Sequence, residues 1–229
     1  MNSFVIQIYE CYSVNDAILL SKLNVHNVGF FLGLKDEEYE QRKKLILELF
    51  NYIPKHINKV ILTLTNNLKL IEKVIEELKP DIMHLGALEE ELNSRSVSEI
   101  KNKFPKQKLM RSIAISGPEA ILIAKSYEKV VDFVMTDSYC PKTKVCGALG
   151  KIHDWNIDRE IVRQLSIPVI IAGGLGPDNV EEAIRYIRPY GVDSKSLTDD
   201  NVTKEKCPSK TKDFVEKTVK AYNSSFTKF

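Results

Sequence analysis

Side chains able to do chemistry recur at one kind of place in this sequence, just beyond short apolar runs. Tyr9, Glu10 and Cys11 follow the first run, Lys35 comes just beyond the second, and Thr63 and Thr65 go with the third. His84 belongs to the fourth run, Arg111 and Ser112 to the fifth, and Asp137 follows the sixth. The seventh run stops at Gly173-Gly174, and the eighth leads into Ser194, Lys195 and Ser196. Carboxylates, an imidazole, a thiol and a phenol are groups that exchange protons with a substrate. The paired glycines suggest a second function. They lie between a buried run, 168–172, and an amphipathic segment with Val180, Ala183, Ile184 and Ile187 at helical spacing. Pro177 suits the first turn of that helix, and Asp178, Glu181 and Glu182 put acidic charge near its positive end. A further short strand follows Pro189, at 191–193. Strand, glycine turn, helix and strand make a parallel crossover unit, whose glycine turn can seat a phosphate on free backbone N–H groups.

The elements that must carry these residues alternate along the whole chain. Strands are expected at 4–9, 28–32, 59–64, 81–85, 108–114, 130–135, 168–172 and 191–193. Helices are expected at 15–23, 36–52, 68–78, 88–104, 118–127, 159–165, from Pro177 to about Ile187, and at 209–222, with Asn93-Ser94 a break point in the fourth. Between Thr136 and Asp158 the pattern lapses into a long loop carrying Pro141, Gly147 and Gly150, and loops of that length are more often functional than accidental. Eight strand–helix units in 229 residues is the arithmetic of one compact (β/α)8 barrel domain over 1–229, with a doubly wound sheet as the structural alternative. The regular period favours the barrel. In a barrel the chemistry gathers at the C-terminal ends of the strands, and glycine-ended seventh and eighth strands match its phosphate site.

Composition narrows the function classes. Hydrophobic residues make up 43% of the chain, enough for a sizeable core, and 33 basic against 31 acidic residues leave a net charge of +2, too balanced to suggest nucleic-acid binding. No run approaches the roughly 18 apolar residues of a membrane span, and the start lacks a basic region followed by an apolar core, so a cytoplasmic location with no membrane partner is expected. Four cysteines do not form a disulfide framework in a chain this long. Cys140 and Cys146, in CPKTKVC, have a spacing unlike the usual zinc pair. Zinc with His153 nearby and a cysteine pair in a lid loop are the two readings, and no metal is assigned.

The run IIAGGLGPDNVEEAI, then GVD, then Lys212-Asp213-Phe214 resembles the C-terminal third of phosphoribosylanthranilate isomerase, with its A-G-G-L-x-P-x-N-V-x-x-A-I, G-V-D and K-D patterns. Gly150-Lys151 followed by His153-Asp154-Trp155 is similar to the family's G-K-T-F-D-W. Asp132 to Asp137 looks like its sixth strand, and Asp16-Ala17 falls in register with its opening helix. The resemblance spans the chain and is most specific from Gly150 to Asp193. It implies a (β/α)8 barrel without a cofactor that acts on a small phosphosugar. The implied reaction is the Amadori rearrangement of an aminoaldose phosphate, the isomerisation step of tryptophan biosynthesis. On this reading Asp137 is the general acid, Gly173, Gly174, Ser194 and Ser196 hold phosphate, and Asp193 lies close to the substrate. The protein could be a monomer or a homodimer.

Several positions depart from the family pattern. The first strand's K-I-C-G, whose cysteine is the base, reads Gln7-Ile8-Tyr9-Glu10 here, so the base falls to Glu10, Tyr9 or Cys11. Tyr9 is a poor base at neutral pH. Q-L-H-G of the fourth strand reads His84-Leu85-Gly86-Ala87. The arginine expected after strand two is absent, with Lys35 nearest, and His84 and Arg111 complete the expected substrate contacts. Leu197 stands where a glycine would approach the phosphate. Three readings follow: the family isomerase with an altered base, a divergent phosphosugar enzyme, and a non-catalytic binding protein. An open mouth with Asp137 facing a phosphate nest favours an enzyme, whereas a mouth plugged by Tyr9, Leu197 and Arg111 favours the last.

Overall fold

The computed structural model describes residues 4–33, 36–140, 145–147 and 150–226, apart from the side chains at 36, 140, 145, 146 and 226. Lys35 lies outside the described residues, as do the side chains of Cys140 and Cys146. The strands are β1 (Val5–Ile8), β2 (Asn27–Phe31), β3 (Asn58–Thr63), β4 (Ile82–Leu85), β5 (Lys108–Ile115), β6 (Phe133–Cys140), β7 (Val145–Cys146), β8 (Val169–Ile171) and β9 (Gly191–Ser194). The helices are α1 (Val14–Ser21), α2 (Tyr39–Phe50), α3 (Leu68–Leu78), α4 (Ser94–Lys103), α5 (Glu119–Tyr127), α6 (Trp155–Gln164), α7 (Val180–Ile187) and α8 (Pro208–Phe226). Parallel pairing runs β5-β4-β3-β2-β1-β9-β8-β6, and β6 pairs back onto β5, which closes the ring. This is a (β/α)8 barrel; β7 is a short antiparallel addition on β6.

Side-chain alternation along the strands divides the core in two. Val5, Tyr9, Val60, Ile82, Met110, Met135, Ile170 and Ala172 pack together inside the ring. Their alternating neighbours, among them Ile6, Ile8, Ile61, Met83, Leu85, Val134, Ile171 and Val192, join the layer beneath the helices. Helix faces written at 3.6-residue spacing cover that layer, such as Ile71, Val74, Ile75 and Leu78 of α3.

Five boundaries near the site differ from the sequence expectation. Strand β6 runs on to Cys140 because Thr136, Asp137 and Ser138 continue the ladder opposite Ile113, Ala114 and Ile115, and Tyr139 then pairs with Cys146. Asp137 therefore lies within a strand and not in the loop beyond it. Helix α6 starts at Trp155, where Asp154 accepts from the Asn156 N–H, and α4 starts after Asn93, which accepts from the Arg95 and Ser96 N–H groups. Helix α7 starts at Val180, so Pro177 and Asp178 belong to the turn before it. The segment expected to begin a helix at Asp36 opens as a 3-10 turn, Asp36–Glu38.

Candidate active site

Alternation decides which of the candidate residues can meet. Tyr9, His84, Ser112, Asp137 and Asp193 share the inward phase of their strands and line one cavity of about 310 Å3, joined there by Glu10 just beyond β1. Its apolar walls are Tyr12, Phe31, Leu62, Leu64 and Met135. Arg111 falls on the opposite phase, between Met110 and Ser112, in a strand that continues to Ile115. Its guanidinium points outward, donating to the Leu85 carbonyl at 2.7 Å and the Leu92 carbonyl at 3.3 Å, and it stacks on Tyr127. Arg111 is thus removed from the cavity and ties β5 to the helix layer. Cys11 also faces away, with Sγ 3.8 Å from the Ser13 carbonyl, and packs in the outer core.

A neutral hydrogen-bonded chain occupies one side of the cavity. The Tyr9 hydroxyl lies 2.8 Å from His84 Nδ1, and His84 Nε2 lies 2.7 Å from Ser112 Oγ. Burial lowers the His84 imidazole to about 3, and the Arg111 charge adds to that, so it stays neutral at physiological pH. Burial also drives the Tyr9 phenol well above its ordinary range, with help from the Asp193 and Glu10 charges. Glu10 is buried, and that raises its carboxyl; a hydrogen bond from Tyr12 and the charge of Lys195 act the other way.

Two carboxylates stand on the other side. Burial pushes Asp137 up to about 6, against the pull of the Ser138 N–H, 2.7 Å from Oδ1. Gly147 beside this carboxyl has a φ of 89°, which favours glycine, and a Cβ there would lie 2.5 Å from Asp137 Oδ2. Asp193 rises further, to about 8, through burial and then through the like charge of Asp137. Its Oδ1 is buried without a hydrogen-bond partner. Two like charges facing one cavity cannot both ionise cheaply, so the pair keeps one proton near neutral pH.

Asp137 and Asp193 also border an adjoining cleft lined by Gly150, Gly173, Gly174, Ser194, Lys195 and Ser196, with Leu197 at its wall. Gly173 and Gly174 have φ of 78° and 67°, and a Cβ on either would run into His153 or the Lys151–Ile152 backbone within 2.6 Å. The glycines therefore serve strand–loop packing as well as the cleft. Ser194 Oγ donates to the Leu175 carbonyl at 2.7 Å. His153 is bonded to Asp158 at 2.7 Å, and no metal-holding group of His, Cys, Asp or Glu occurs among the described residues.

Sequence reasoning missed Tyr12 and Lys206, and placed Lys195 after the eighth strand without giving it a role. Tyr12 and Lys195 line the cavity, and Lys206, which is buried, pairs with Asp199 and donates to the Tyr9 carbonyl next to Glu10. The position of Lys195 just after the eighth strand was a usable signal. Lys206 had none, because it sits in a charged run, DDNVTKEK, that reads as solvated surface.

Among the described residues no helix is long and apolar enough to cross a membrane. The family model for N-(5'-phosphoribosyl)anthranilate (PRA) isomerase matches residues 15–217. The N-(5'-phosphoribosyl)anthranilate isomerase 2 of Methanosarcina mazei is 32% identical over 194 residues, 84% of this chain and 84% of its own length. The phosphoribosyl anthranilate isomerase of Thermus thermophilus has the same fold, with a TM-score of 0.77 at 18% identity over 94% of this chain and 98% of its own. So does a phosphoribosyl anthranilate isomerase solved with reduced 1-(o-carboxyphenylamino)-1-deoxyribulose 5-phosphate, with a TM-score of 0.72 at 17% identity over 95% and 100% of the two chains. The family match covers most of the chain and agrees with the barrel, and the chain belongs to the N-(5'-phosphoribosyl)anthranilate isomerase family.

Proposed function

We propose that this family member isomerises N-(5'-phosphoribosyl)anthranilate in tryptophan biosynthesis, with the Asp137–Asp193 pair supplying the acid through Asp137 and with Glu10 as the base. The carrying observation is the arrangement of the two cavities. Apolar walls at Phe31, Leu62, Leu64 and Met135 suit an aromatic ring, and the glycine- and serine-lined cleft suits a phosphate. Asp137 and Asp193 border both, where the ribose would bridge them. The ligand of the solved relative has that composition, an aromatic acid at one end and a sugar phosphate at the other.

Asp137 gives its proton to the furanose oxygen, the C1–O bond breaks, and the nitrogen lone pair forms a C1=N bond. Glu10 then removes the C2 proton, the electrons return to nitrogen, and the resulting enolamine tautomerises to the ketose. Each step turns on one proton transfer, the first coupled to C1–O cleavage and C1=N formation. Glu10 is preferred as base on two grounds. The Tyr9 phenol holds its proton too tightly and is engaged by His84, and Cys11 does not line the cavity. Of the three residues that would plug the mouth, Arg111 is turned outward while Tyr9 lines the cavity and Leu197 walls the cleft, and the space of about 310 Å3 that remains beside Asp137 favours an enzyme over a binding scaffold. Every residue in this mechanism comes from one chain, so it serves a monomer or a homodimer equally, and a biosynthetic enzyme of this kind works in the cytoplasm. The test is turnover of phosphoribosylanthranilate, followed by loss of its anthranilate-type fluorescence. Turnover that disappears in Asp137→Asn and in Glu10→Gln supports the assignment; full activity in Asp137→Asn would refute it.

A further inference from the structure

We propose that Lys195 is the counter-cation for the substrate's phosphate, a specificity residue shared between the cavity and the cleft. The inference rests on the reading of the glycine- and serine-lined cleft as the phosphate end. Lys195 borders both spaces, and among the described residues it is the one lysine or arginine lining either. Glu10, Asp137 and Asp193 line the same cavity. A phosphorylated carboxylic acid adds negative charge to that set, and at low local dielectric its entry is opposed unless a cation stands nearby.

The surroundings of Lys195 leave its charge available. Its Nζ is 3.2 Å from Asp199 Oδ2 and 5.5 Å from the centre of the Tyr12 ring. The other oxygen of Asp199 is paired with Lys206, whose side chain is fully buried and also bound to the Tyr9 carbonyl. Two lysines thus share one carboxylate. Lys206 is locked in place, while the Lys195 side chain is 26% exposed and faces the open space. An anion in the cleft can draw Nζ from Asp199 without leaving that carboxylate unpaired, since Lys206 remains. The Tyr12 ring steadies the ammonium at the cavity side through its π-face. A compact ammonium on a flexible stem next to Ser194 and Ser196 can bind a phosphate dianion as a point charge.

Calorimetric titration with ribose 5-phosphate at low and high salt tests this without requiring turnover. Lys195→Met should weaken binding about tenfold or more, the loss expected for one charge-assisted contact, and should flatten the salt dependence. Lys195→Arg should retain most of the affinity, and in turnover Lys195→Met should raise KM more than it lowers kcat. The melting temperature should hold, because Asp199 keeps Lys206. Equal binding by the unaltered protein and Lys195→Met overturns the lysine's role and leaves the acid–base assignment intact. Weaker binding of anthranilate with unchanged ribose 5-phosphate affinity also overturns it, by sending the lysine to the carboxylate end. If the unaltered protein binds no ribose 5-phosphate, the phosphate cleft and the lysine's role fail together.

Discussion

The two arcs of the barrel mouth are built by the same alternation and have opposite chemical character. On the β1–β5 arc the inward polar groups bond one another: Tyr9 to His84, and His84 to Ser112. Every member is neutral, and the remaining walls are apolar. On the β6–β9 arc, Asp137 and Asp193 face the same space with too few donors, and Asp193 keeps one oxygen unpartnered. A satisfied network fixes a shape, whereas an under-satisfied pair of carboxylates stores a proton that a substrate can take. On the proposed reading the first arc holds a ring and the second does the chemistry. Glu10 is the exception. It leaves the first arc just past the last residue of β1 and brings a carboxylate to the neutral side.

Removing the acid is the strongest test of that division. Asp137→Asn keeps the shape and withdraws the transferable proton, and kcat should fall by roughly 10²–10⁴-fold. Glu10→Gln should follow, with a loss of about 10²-fold in kcat and little change in the melting curve, since Gln retains a hydrogen bond to Tyr12. Steady-state fluorescence assays beside thermal melts measure both. A Glu10→Gln protein at full rate would break the comparison, because the base would then have to come from the β6–β9 arc.

The barrel was legible in the sequence because its signal repeats: eight apolar runs, each followed by an amphipathic stretch, closed by a glycine turn and GVD. The inward phase was less legible. The pattern puts Arg111 at a strand end, yet Ser112 to Ile115 continue the strand, and alternation sends the guanidinium outward to Leu85, Leu92 and Tyr127. The apolar pattern puts Asp137 just past the sixth strand, yet it lies within it, because the extension is held by pairing with β5 and β7, which a local pattern does not encode. Lys206 reaches the Tyr9 carbonyl from 197 positions away, and no spacing rule covers that distance.

Asp193 sharpens the contrast through pH. Its carboxyl is raised from 3.8 to about 8, so the folded protein holds a proton that the unfolded chain has lost above about pH 4. Native stability therefore has this contribution in full below pH 4 and loses it progressively as pH rises to 8. Asp193→Asn should flatten that fall and stabilise the protein at pH 7 by up to roughly 4 kcal/mol, as three pH units at ~1.36 kcal/mol each allow. Denaturant melts at pH 5 and 7.5 measure it. The coupling runs from the Asp137 charge to Asp193, so Asp137→Asn should bring the Asp193 carboxyl down from about 8 and end that fall in stability at a lower pH. An unmoved fall would mean the two carboxyls titrate independently.

Tyr9→Phe should have the smallest effect on rate and a clear one on stability. The ring still fills the space over Gly29, where an added Cβ would lie 2.1 Å from it. Only the hydroxyl is lost, and His84 Nδ1 is left buried without its partner. That costs about 1–3 kcal/mol, a fall in melting temperature of several degrees for a chain of this size. His84 is neutral throughout this range, so the cost should be the same at pH 5.5 and pH 8. The rate should stay within about threefold, because the phenol neither gives nor takes a proton in the proposed steps. A hundredfold loss of kcat with an unchanged melting curve would instead make Tyr9 a chemical participant and erase the division between the two arcs.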